Sequence, residues 1–293
     1  MNILITGADG FIGSHLSHHL FHKTRHQFRQ YDLELGDDIR DKFKLNRVFT
    51  ENQFDVVVHL AARTGVGNGQ KFPEEYISTN ITGTNNIIEM CQKYDVPLVF
   101  FSSSSVLGGG DRPTGLRESS PYNPLSVYGV TKVAGEMLVK ASLLNYIIIR
   151  PFTVYGERGR KDMVLYRWIE QIKNGTPLTF YGDGTSSRGY TYVGDLVDGV
   201  MRAVNHLVDR KEEDVAETIH LGGAEVVSLN DLVKIFKEFL NKKKQTLEVQ
   251  ELPSVPEDVK NSHADISKAK FLLEWEPKGK FEKIVTNILK KEL

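Results

Sequence analysis

Hydrophobic and polar positions follow two alternating periods along the first half of the chain. Short, nearly continuous apolar runs at residues 2–6, 56–60, 98–102 and 146–150 read as strands covered on both faces. Residues 27–31 also read as a strand. Between these runs apolar positions recur at helical spacing over 13–22, 41–51, 80–94 and 127–144. Regular strand–helix alternation predicts an α/β protein with a doubly wound parallel sheet. After residue 156 the pattern loosens. It predicts a helix over 161–174, strands over 177–181 and 190–193, and a helix over 195–207. A segment at 219–221 is expected to rejoin the main sheet. Ser228 caps a helix reaching about residue 240, a strand follows over 247–252, and 253–261 is a polar loop. The expected organisation is a first domain over 1–155 and a smaller C-terminal α/β domain over 156–293. Segments around 190–222 are expected to return to the first.

A length of 293 residues accommodates both units. Lys and Arg number 37 against 38 Asp and Glu, so the net charge of −1 gives no electrostatic case for nucleic acid or an anionic membrane. Lys242, Lys243 and Lys244 read as a solvated helix end. His15, His18, His19 and His22 have helical spacing, but no Cys or carboxylate joins them in sequence, so no metal is expected there. The lone Cys91 excludes a disulfide within the chain and fits a reducing, cytoplasmic setting. No apolar run reaches about 18 residues, so no membrane span is expected. The strand pattern begins at the second residue, and no secretory leader is expected.

The first strand runs into Gly7-Ala8-Asp9-Gly10-Phe11-Ile12-Gly13 and then a helix. Gly7 permits a tight turn, Gly10 lets a pyrophosphate approach the backbone, and Gly13 lets helix and strand pack closely. The helix N-terminus would face the phosphates. The second strand ends in Asp32, an acidic residue about 20 positions past the loop, placed to accept a ribose hydroxyl. It would repel a 2′-phosphate, which favours NAD over NADP. The plainer alternatives are a ligand-free glycine turn and a polar strand cap.

The strand over 98–102 runs into Ser103, Ser104 and Ser105, and 25 residues on from this string a helix opens with Tyr128 and Lys132 four apart on one face. A free phenol ionises near pH ~10, and a neighbouring ammonium favours the phenolate. Tyr128 is thus a candidate general base, with a serine hydroxyl ready to bond the same substrate oxygen. Alone, the pair would be an ordinary solvated helix contact.

Taken in order, these motifs resemble the extended short-chain dehydrogenase/reductase family, closest to its nucleotide-sugar 4-epimerases. The resemblance covers nearly the whole chain and implies a Rossmann domain with NAD bound. It implies a cofactor loop of Gly7, Gly10, Phe11, Ile12 and Gly13, with Asp32 as the ribose acid. Asp38 and Ile39 would flank the adenine. His59-Leu60-Ala61-Ala62 would lie along the cofactor, with Asn80 on the following helix. Ser103, Tyr128 and Lys132 match the catalytic serine, tyrosine and lysine. Residues 150–156, 187–193 and 264–270, with Trp275 and Pro277, match the later signatures. The family also implies a homodimer through helices 80–94 and 127–144, whose apolar positions include Ile81, Ile87, Ile88, Met137 and Leu138.

In this family the residues after the catalytic Ser or Thr differ by reaction: Asp-Glu in sugar 4,6-dehydratases, Glu in decarboxylases, Cys in epimerase-reductases. Ser104 and Ser105 supply none of these, which leaves oxidation and reduction at one carbon. The sugar expected is UDP-glucuronate, because Thr153 and the string Arg160-Lys161-Asp162-Met163 resemble its 4-epimerases. Arg160 would clamp the carboxylate, Ser104 and Thr153 would touch the sugar, and Arg188 would hold the diphosphate. Four departures bear on the substrate. Residues 65–69 lack the family's arginine and aromatic, 253–257 lack an arginine, Gly194 replaces Asp, and Leu107 replaces Tyr. The alternatives are UDP-glucose/UDP-galactose or UDP-N-acetylhexosamine epimerisation, an NAD-dependent ketoreductase marked by net NADH use, and a silent dinucleotide sensor. A silent protein typically loses the tyrosine or the lysine, and this chain keeps both.

Overall fold

The computed structural model describes residues 1–110, 114–210, 212–253 and 259–293. Residues 254–258, most of the arginine-free stretch of the expected polar loop, lie outside the described residues. Six parallel strands form the main sheet. Their order across it is Ala216–Leu221, Tyr146–Pro151, Leu98–Phe101, Val56–His59, Asn2–Thr6 and Gln27–Tyr31. The five strands expected in the first half are present with ends shifted by at most one residue, and the segment at 219–221, longer than expected as Ala216–Leu221, does rejoin the sheet beside Tyr146–Pro151.

Every residue of Val56–His59 and Leu98–Phe101 is buried, because helices cover both faces. Helices Phe11–Lys23 and Val193–Asp209 pack on one side around Leu16, Leu20, Val200 and Val204. Lys42–Glu51, Thr84–Tyr94 and Val127–Ala141 cover the other side around Leu45, Phe49, Ile87 and Val139. The chain leaves Asn2–Thr6 in one direction for Gln27–Tyr31 and in the other for Val56–His59. That reversal opens a crevice at the carboxyl ends of the strands, where ligands bind in such sheets.

A separate apolar cluster holds the C-terminal elements. Trp168, Phe236 and Val285 join helices Val164–Lys173, Leu229–Lys242 and Phe281–Glu292 beside the parallel pair Leu178–Tyr181 and Val249–Leu252. Ser228 caps its helix as expected and shares a reciprocal capping box with Asp231.

The structure departs from expectation in several places. Residues 65–69, which lack the family's arginine and aromatic, run into a short helix, Val66–Lys71, that no periodicity announced. The helix expected to start at 80 starts at Pro73 and passes through a π-helical stretch, Ser78–Gly83. Ile87 and Ile88 point into the chain's own core, and Leu138 packs against it. Ile87 and Ile88 are therefore unavailable to a partner, while Leu138 is only partly covered. Leu107 is buried with Val106, Leu116 and Phe152, an apolar niche with no use for a phenol. Among the described residues no helix is long and apolar enough to cross a membrane.

Candidate active site

A cleft of about 770 Å³ lies over the carboxyl ends of the sheet. Of the residues singled out from the sequence for cofactor, catalysis or sugar, all but His59 and Asn80 line it. At one end the glycine turn is packed too tightly for side chains. Gly7 has φ +70°, and a Cβ there would lie 2.6 Å from the Ala61 nitrogen. A Cβ on Gly13 would lie 2.1 Å from the Gly7 carbonyl oxygen. Helix Phe11–Lys23 has neither a side-chain cap nor an acid in its first turn. Its leading amides therefore face the cleft, ready for phosphate oxygens.

The Asp32 carboxylate is held by amide donors from Asp9 at 2.9 Å and Glu34 at 3.0 Å. Each oxygen keeps acceptor capacity for a ribose hydroxyl. Arg40, which also lines the cleft, is bound through Nε and Nη2 to Asp38 at 3.0 and 2.6 Å. The cation near the adenine end is thus already matched by a carboxylate rather than offered to a 2′-phosphate. These features fit NAD: a cradle that a Cβ would fill, uncapped amides for the pyrophosphate, and an acid for the ribose.

Tyr128 stands across the cleft. Burial raises its phenol above the ordinary value, while a hydrogen bond with Ser103 and the charge of Arg160 act to lower it. The spacing predicts Lys132 as the group that favours the phenolate, and here the structure differs. The Lys132 Nζ donates to the Phe101 carbonyl at 2.6 Å and lies 5.1 Å from the Phe100 ring centroid. Only 4% of the residue is exposed, and burial pulls its ammonium down to about 8. A shared helix face brought the two side chains to one cleft, but burial outweighs their pairing.

Behind Lys132 sits a charged cluster that sequence reasoning missed. Glu136 and Arg150 are both buried and form two parallel bonds, Nε–Oε1 at 2.8 Å and Nη2–Oε2 at 2.7 Å. Ser102 donates to Oε1 and the Tyr122 hydroxyl to Oε2. Burial works to raise the Glu136 carboxyl, but the Arg150 bonds and charge hold it below the usual range. A signal was available, since Glu136 lies one turn beyond Lys132 on the same helix.

Two named residues stand back from the cleft: His59 is buried between the Thr6 and Thr84 hydroxyls, and Asn80 serves the wall. The Asn80 amide accepts from the Arg63 nitrogen at 2.7 Å and donates to the Arg63 carbonyl and the Thr131 hydroxyl, each at 3.0 Å. It ties the wall of the cleft to the helix carrying Tyr128 and Lys132, and does not line the cleft itself. The π-helical stretch re-aims it, which no periodicity rule anticipates.

On the sugar side the expected clamp is engaged. Arg160 Nε and Nη2 bind Asp162 at 2.9 and 2.8 Å. Arg188 donates Nη1 to the Ser187 and Lys260 carbonyls at 2.9 and 3.1 Å. Tyr76, also unanticipated, donates to the Thr64 and Gly65 carbonyls and lies edge-on to Tyr128, with ring centroids 6.4 Å apart.

A doubly wound sheet with this cleft defines a dinucleotide-binding enzyme. The model of the NAD-dependent epimerase/dehydratase family matches residues 3–218, and the chain belongs to that family. It is 34% identical to an uncharacterized UDP-glucose epimerase, YtcB, of Bacillus subtilis, over 98% of this chain and 96% of that one. It is also 34% identical to a UDP-glucuronate 4-epimerase of Thermodesulfobacterium geofontis, over 89% and 78% of the two chains. A crystal structure of UDP-glucuronic acid 4-epimerase from Bacillus cereus, in complex with UDP-glucuronic acid and NAD, superposes with a TM-score of 0.88. It is 32% identical and covers 99% of both chains.

Proposed function

We propose that this chain is an NAD-dependent UDP-sugar 4-epimerase whose preferred substrate is UDP-glucuronate. The observation that carries the reading is that Tyr128 and Ser103 both line a cleft continuous with the glycine turn. Ser104 and Ser105 add no acid or base for elimination. NAD, when bound, takes up the C4 hydrogen with its electron pair and returns it. Tyr128 Oη holds the proton of the C4 hydroxyl as the C4–H and O–H bonds break to give a 4-keto sugar. Ser103 hydrogen-bonds the C4 oxygen throughout. Lys132 keeps a positive charge beneath the site. After the ketone presents its other face, Tyr128 returns the proton and C4 is inverted. Residues 1–155 serve the cofactor, and 156–293, through Thr153's neighbouring strand, Arg160 and Arg188, serve the sugar nucleotide.

UDP-glucuronate rests on Arg160 beside Thr153, and on relatives named for that activity. UDP-glucose/UDP-galactose epimerisation is the second reading. It is favoured by the Asp162 carboxylate already seated on Arg160 and by the relative named for UDP-glucose. Purified protein is expected to release NAD(H), not NADP(H), on denaturation, and to convert UDP-glucuronate in a chromatographic panel of UDP-sugars without net NADH use. Arg160→Ala should weaken UDP-glucuronate turnover by about 2–5 kcal/mol while sparing UDP-glucose. A wild type that interconverts UDP-glucose and UDP-galactose but ignores UDP-glucuronate would refute the clamp.

The chain is further proposed to be a cytoplasmic homodimer. Ile77, Val130 and Met137 are 49%, 52% and 42% exposed on the helices expected at the interface. Val130 and Met137 lie two turns apart, on one stripe. Light scattering at micromolar concentration should give twice the chain mass; a monomer counts against this surface.

A further inference from the structure

We infer that Asp162 is a specificity-determining residue: an internal carboxylate that occupies Arg160 and must give way before the carboxylate of a hexuronic acid can bind. The inference rests on the substrate reading above. Its ground is the pair itself. Nε meets Oδ1 at 2.9 Å and Nη2 meets Oδ2 at 2.8 Å, the two parallel bonds with which a guanidinium grips any carboxylate. A substrate carboxylate aimed at the same edge of Arg160 therefore meets a neutralised cation and a like charge. Neither bond uses Nη1, so the guanidinium retains one donor edge for an approaching ligand.

The pair is built to exchange. Arg160 and Asp162 are 35% and 50% exposed at the side chain, so Asp162 can rotate into water without opening the core. Residue 65 beside it is a glycine: a Cβ there would lie 3.3 Å from Oδ2, so no side chain presses on the carboxylate from that position. Only Lys161 separates the partners in sequence, so release needs only a local side-chain change. A neutral C6 hydroxymethyl group makes no demand on Arg160 and leaves the pair closed. Asp162 thus handicaps the acidic sugar against the neutral one, and the balance between the two substrates is set by how readily it releases Arg160.

Asp162→Asn keeps shape and an acceptor but removes the charge. By calorimetry on the NAD-loaded protein at low salt, it is expected to tighten UDP-glucuronate binding about tenfold, the scale of one screened charge interaction. Binding of UDP-glucose and of UDP should change by less than about twofold, since neither needs the C6 contact, and the uronate gain should shrink as salt rises. Asp162→Ala should behave alike, which guards against a peculiarity of Asn. Unchanged or weaker uronate binding in both variants overturns the inference, the weaker case meaning that Asp162 orients Arg160 for the substrate. A wild type that binds neither UDP nor UDP-glucose fails at the earlier step and overturns the UDP-sugar reading itself.

Discussion

Tyr128→Phe is expected to lower epimerase turnover by about 10²–10⁴-fold, the usual loss when general acid–base help is removed. The ring would remain, and so would the glycine turn and Asp32, so the variant should still purify with NAD. Burial raises the phenol, and the charge of Arg160 acts to lower it. Near-normal turnover in the variant would refute the role. A pH dependence accompanies it. Burial pulls Lys132 down to about 8, so its ammonium is charged below that pH and neutral above it. Activity, read as kcat/KM, should therefore fall on the alkaline side through that region. The sign for stability is the reverse. An unfolded lysine keeps its proton to about pH 10.4, so between the two values the unfolded chain binds more protons. Stability from this group rises with pH across that window.

Glu136→Ala is expected to destabilise the protein by about 3–5 kcal/mol, because it strands the Arg150 guanidinium in the core without a counter-charge. Arg150 is 1% exposed, and its remaining contacts are the Glu118 carbonyl at 3.1 Å, the Tyr122 hydroxyl at 3.2 Å and His220 at 3.5 Å. None of these carries a full negative charge. Urea denaturation measures the loss. Replacing both partners with apolar residues, Glu136→Leu with Arg150→Met, should recover most of it, since apolar packing can stand in for a buried ion pair. If the single variant is as stable as the wild type, water reaches the site and the pair is not sealed. Ser102, bonded to Glu136, links the strand Leu98–Phe101 to Ser103, so a surviving single variant should also lose turnover.

The parallel sheet, the glycine turn with Asp32, and the Ser103–Tyr128–Lys132 set were legible because each is written locally. Apolar runs of strand length alternate with helical periodicity, and a G-x-x-G-x-x-G turn and an i, i+4 pair need only neighbours in sequence. By itself the sequence determined the fold, the dinucleotide cleft and the residues around it. Only the tertiary structure decided what those residues touch. It turned Lys132 toward the Phe101 carbonyl, because burial and a carbonyl acceptor outweigh helix spacing. It withdrew Asn80 from the cleft through a π-helical stretch. It buried Ile87 and Ile88 in the chain's own core and left Ile77 and Val130 outside. It also joined Glu136 to Arg150 and Arg160 to Asp162. Periodicity fixes which face of an element a residue occupies. Which charge meets which depends on dehydration and on distances between elements far apart in the chain, and folding alone sets those.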